Sequence, residues 1–194
     1  MKSKHTVKNL LIFLSLMAVP VYTLIFGLKQ NPIHFTLSKI GNYFGHRAEF
    51  IAWGTISGLL LMACIFYLFQ KTRYKGRFGE KLLTLSYVFL IITVLVPNFR
   101  ETMTFLFYVH IVSAVLFAAC LFMALIFFMA HLRANHKRVF DKCSVFLFIC
   151  VGFPLLMLAV FGELTGIAEI AFFFGICTFL TAVNAALLSE ERGV

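Results

Sequence analysis

Acid–base or metal chemistry in this sequence has to come from six histidines and eight carboxylates. Their placement matters more than their number. Glu49 opens one apolar run, His110 lies about one turn inside another, and Glu169 about one turn inside a third. With a rise of ~1.5 Å per residue, all three fall within a few ångströms of one depth. Arg100 and Glu101, on a short connection, can reach the same layer, as can Arg47, His46, His34 and Ser38. Ionisable groups inside apolar spans usually face a bundle interior or a wet cavity and are functional candidates by default. The same residues could instead brace helix ends, with Arg47 paired to Glu49 or Arg100 to Glu169.

The elements that must hold these groups follow from composition. Hydrophobic residues make up 61% of the chain and charged residues 13%, with 25 Phe and a mean hydropathy of +0.95. Soluble domains average roughly 45–50% apolar and about 25% charged residues. The sequence predicts an all-α membrane domain over residues 1–194, with no soluble domain attached. Six apolar runs, at about 9–28, 48–69, 82–97, 105–130, 143–161 and 166–188, are read as transmembrane helices. The first follows a basic start but is too long for a signal peptide's apolar core, so it is read as uncleaved. Pro20 and Pro154 should bend the first and fifth spans.

Basic residues set the orientation. Lys2, Lys4, Lys8, Lys71, Arg73, Lys75, Arg77, Lys81, Arg133, Lys137, Arg138, Lys142 and Arg192 fall on one side. Of the 17 Lys and Arg residues, Lys29, Lys39, Arg47 and Arg100 alone fall on the other. The richer side is read as cytoplasmic, with both termini there, in the plasma membrane. This pattern accounts for the net charge of +9 without nucleic acid. The five cysteines lie in or beside apolar runs and contain no CxxC pair, which suits buried small hydrophobes.

Between the first two spans, Ile33, Leu37, Ile40 and Phe44 recur at helical spacing. The sequence predicts a short interfacial helix over about 32–44, capped by Asn31, started by Pro32 and ended by Gly45. His34 and Ser38 lie on its small-residue flank and are expected to face the outer mouth of the bundle. His110 shares a helix face with Ser113, Ala114, Phe117, Leu121 and Ala124, which should turn it inward. Gly54 and Gly58 form a GxxxG spacing suited to close packing within the bundle, with a second copy, or with a partner subunit.

Three functions from different classes compete. In the first, membrane lipids are the ligand: His110, Glu169, Arg100, Glu101, His34, Ser38, Arg47 and Glu49 hold a lipid head group, or the chain serves as an accessory subunit without catalysis. In the second, His34, His46 and His110 hold zinc for a membrane-embedded lipid hydrolase; no HExxH spacing fixes such a set, and the favoured reading needs no cofactor. In the third the chain is a small transporter or channel. Facing histidines at one depth, which a b-type haem would need, are missing: His110 and His131 lie at opposite ends of one helix.

Ser38-Lys39-Ile40-Gly41, His110 with Ala114, and Glu169 together carry a family resemblance. The chain resembles the six-helix bacterial membrane proteins grouped with the Frag, Sfk and damage-regulated autophagy modulator proteins. That resemblance implies a six-helix fold and, through relatives linked to lipid or GPI-anchor handling, a lipid-binding role. It departs from the pattern after the serine, where Lys39 and Ile40 replace an acidic residue. A more distant likeness is to ceramidase and adiponectin-receptor type hydrolases, which place Ser, Asp and His around zinc; the single Asp here, Asp141, lies on the cytoplasmic side.

Overall fold

The computed structural model describes residues 2–191, with side chains from Ile12 onward. Lys2, Lys4, Lys8 and Arg192, used in the charge count, lie outside the described side chains. Seven helices and no strand occur among the described residues: α1 (Lys2–Gly27), α2 (Leu37–Tyr43), α3 (Arg47–Lys71), α4 (Arg77–Leu95), α5 (Thr104–Asn135), α6 (Lys137–Phe161) and α7 (Gly166–Glu191). Helices α3 to α7 are each long and apolar enough to cross a membrane. The apolar part of α1, Ile12–Gly27, is shorter. The protein is membrane-embedded and multi-pass.

The helices extend beyond the apolar runs that announce them. Helix α4 begins at Arg77 rather than 82, α5 continues to Asn135 and α6 begins at Lys137. Hydropathy marks the hydrocarbon thickness, whereas backbone hydrogen bonding continues into water without penalty.

Chain neighbours pack side by side, and α7 returns to α1, so six long helices close a ring. Gly27 at the end of α1 meets Ile170 at the start of α7, while Lys71 at the end of α3 lies 3.7 Å from Glu191 at the end of α7. One end of the ring therefore carries the α3–α4 and α5–α6 connections and their basic residues. The other end carries α2. At the basic end, His136 Nδ1 pairs with Glu190 at 2.7 Å, and Lys71 donates to Asn184 at 3.2 Å. In the α3–α4 connection, burial and then the nearby Glu80 push the Tyr74 phenol above its ordinary pKa.

Gly54 and Gly58 are both buried, and a Cβ on either would overlap Val94 or Leu90 of α4. The close approach that the GxxxG spacing permits is thus between α3 and α4 of one chain. Beside them the buried Ser57 hydroxyl finds no acceptor. A buried, unsatisfied hydroxyl costs about 1–3 kcal/mol. Ser57→Ala is therefore expected to leave stability unchanged or raise it, which reversible unfolding in mixed micelles can read.

Helix α2 is shorter than the apolar pattern suggests. Thr36, not Asn31, is its N-cap: the Thr36 hydroxyl accepts from Lys39 N at 3.2 Å. Asn31 instead closes a turn, its side chain accepting from Ile33 N at 3.0 Å. Pro32 lies in that turn, and its carbonyl accepts from Ile167 N at 2.9 Å, which ties this segment to α7. Leu37 and Ile40 are buried, whereas Ile33 and Phe44 remain exposed. Gly45, at φ 77°, ends the element in the left-handed region that Gly tolerates best.

Candidate functional site

Beneath α2, between α3, α4, α5, α6 and α7, lies a cavity of about 430 Å³. Its walls begin with aromatic packing. Trp53, the one Trp in the chain, stacks with Phe50 at 5.8 Å and Phe26 at 5.9 Å and meets the edge of Phe173 at 5.0 Å. Its indole N–H donates to Thr23 Oγ1 at 3.0 Å, which in turn donates to the Val19 carbonyl at 2.8 Å. This satisfies the one polar group that Trp53 would otherwise bury unpaired. Phe50, Phe117, Phe122, Phe172 and Phe173 line the cavity with Trp53, while Ala114, Ala118 and Ala119 keep its α5 wall thin.

Helix α6 makes one side of the cavity open. Val139, Cys143, Leu147 and Cys150 are its buried stripe, and the stripe stops there. Beyond Pro154, the residues Leu155, Leu156, Leu158, Val160 and Phe161 are exposed. Proline removes a backbone donor and crowds the preceding turn, so the last turns of α6 are free to part from the bundle. The opening is rimmed by exposed Val115 and Leu155 and by Leu164. It faces sideways, towards the space that lipid fills around a membrane bundle.

Polar groups gather at the α2 end of this chamber. Glu169 Oε2 accepts from Leu37 N, the first residue of α2, at 2.5 Å. The carboxylate thereby satisfies one of the amide groups that a helix start leaves without a partner and meets the positive end of the helix dipole. Glu169 itself sits in the first turn of α7, whose start is capped by the Thr165 hydroxyl accepting from Ala168 N at 3.3 Å. The His110 ring is buried, and its Nδ1 lies 3.1 Å from the Val96 carbonyl. A carbonyl only accepts, so Nδ1 carries the proton. Ser38 Oγ accepts from Asn98 Nδ2 at 3.0 Å and lies 3.1 Å from Thr36 Oγ1. Ser38, Thr93, His110 and Glu169 all line the cavity.

The remaining residues singled out in the sequence do not converge there. Arg47 donates to Asn42 Oδ1 at 3.0 Å and to the Leu95 carbonyl at 2.5 Å, lashing α2 and α4 to the start of α3. Glu49 pairs with Lys29 and, at 3.3 Å, with His46 on the exposed rim. Neither expected brace forms: Arg47 does not pair with Glu49, and Arg100 is exposed with its guanidinium 5.9 Å from the Phe107 ring centre. Glu101 and His34 are also exposed. His34, His46 and His110 are held in three different surroundings, and no three His, Cys, Asp or Glu residues among the described ones form a set that could hold a metal.

Asn98, Asn42 and Thr36 are polar members of this layer that the sequence did not single out, and Trp53 is its main apolar one. Their signal is weak. An amide following Pro97 or a Trp within an apolar run is ordinary until the fold shows what it faces.

No family model, curated protein or solved structure matches this chain.

Proposed function

We propose that this protein binds an amphiphile from the surrounding bilayer, its hydrocarbon chain in the cavity and its polar end at Ser38, His110 and Glu169. The observation that carries this reading is one lateral chamber, apolar along its walls and polar at one end. Its volume falls within the roughly 300–1,000 Å³ of ordinary ligand sites. Apolar space left unfilled in a protein core costs roughly 24 cal/mol per Å³, which favours entry of a chain from the membrane. The resemblance to proteins linked to lipid handling agrees with this reading.

The same proposal includes topology. We read α1 as a sixth span, with both termini on the cytoplasmic side of the cell membrane. Lys71, Arg73, Lys75, Arg77, Lys81, Arg133, Lys137, Arg138 and Lys142 gather in the two connections at one end, as the positive-inside preference requires. The polar mouth then belongs to the outer leaflet.

Trp53 is 3% exposed, so a quencher in the bilayer reaches it by entering the cavity. In nanodiscs, a monoacylglycerol carrying a dibrominated chain is expected to quench Trp53 emission saturably. Emission that stays unchanged as the lipid is titrated would overturn the reading.

A further inference from the structure

The lining also constrains the polar end of the occupant. Among the described residues, one carboxylate, Glu169, lines the cavity, and no Lys or Arg does. Outside the lining, Lys39 lies on the exposed rim 3.8 Å from Glu163 and within electrostatic reach of Glu169, and Arg47 is held by Asn42 and Leu95. A carboxylate can accept about four hydrogen bonds, and the Leu37 N–H uses only part of that capacity. The adjoining walls are aromatic, with Phe50, Trp53, Phe172 and Phe173 among the lining residues.

Resting on the amphiphile reading, we propose that the cavity selects a lipophilic cation, a single hydrocarbon chain ending in an ammonium group. A buried carboxylate with no cation in the lining beside it is destabilised by lost hydration, and a ligand ammonium supplies a partner inside the cavity. An aromatic face that meets the ammonium adds cation–π attraction, which strengthens where water is excluded. Fatty acids meet repulsion from Glu169. Phospholipids bring a phosphate for which the lining offers no cation. A neutral alcohol fills the same space but leaves the carboxylate uncompensated.

Two probes of equal chain length separate these cases. In zwitterionic nanodiscs, 12-bromododecyltrimethylammonium and 12-bromododecanol are titrated against Trp53 emission. The cation is expected to reach half-quenching at a mole fraction at least about tenfold lower, a factor equal to about 1.4 kcal/mol. In Glu169→Gln that ratio should collapse towards one, and in Glu169→Asp, which keeps the charge, most of it should return. Equal quenching by both probes in the unaltered protein would overturn the cation proposal and leave the amphiphile reading standing. Quenching by neither would overturn both. Because the first comparison uses the unaltered chain, it decides the proposal even if Glu169→Gln fails to fold.

Discussion

Ala114→Phe combined with Ala118→Phe should abolish quenching of Trp53 by a brominated chain while leaving the bundle at least as stable. Both alanines lie on the cavity side of α5, and neither is fully buried. Inserting bulk into a packed core usually costs about 1–3 kcal/mol because neighbours must move. Here the added rings enter existing space and meet Phe172 and Trp53, so the usual strain is small and apolar contact is gained. Affinity for the chain should fall more than about tenfold, the equivalent of more than 1.4 kcal/mol, with unchanged unfolding. Retained quenching in the doubly filled variant would mean that the chain reaches Trp53 by some route other than this cavity.

The second large effect concerns the junction that positions the polar end. A Cβ on Gly166 would overlap the Phe35 carbonyl oxygen and lie 3.0 Å from that of Pro32. These are backbone atoms, already fixed by the bond from Ile167 N to Pro32, so they cannot turn aside as a side chain would. Gly166→Val is expected to destabilise the fold by about 2–4 kcal/mol, combining steric overpacking with loss of that bond. It should also weaken ligand binding, since the α7 start carries Glu169 to the Leu37 amide. Gly152→Ala is the contrasting case. A Cβ there meets nothing within 4 Å, and Ala is favoured over Gly in a helix by roughly 0.5–1 kcal/mol. Denaturant unfolding of the two variants side by side tests the argument; similar losses in both would show that the backbone contact at Gly166 carries no special weight.

These expectations separate two kinds of information in the chain. The apolar runs, their lengths and the alternation of basic connections are local properties, so helix number, the short element before α3 and the segregation of charge could be read from sequence alone. The inward direction of His110 followed from its shared face with Ser113, Leu121 and Ala124, all three buried. The left-handed stop at Gly45 followed from residue type. Partner choice did not. Arg47 and Glu49 sit two residues apart near the start of α3, yet they find Leu95 and Lys29 because helix packing puts those partners closer than chain distance suggests. Gly54 and Gly58 announced a close contact, and tertiary structure assigned it to α4. The cap of α2 is Thr36, while the segment around Pro32 is a turn tied to α7 through Ile167. Trp53 and Asn98 carried only a weak local signal, and Pro154 marked a bend in α6 without showing that the helix buries nothing after Cys150. A cavity is the space between elements distant in sequence, and only their packing decides whether it exists, what lines it and which way it opens.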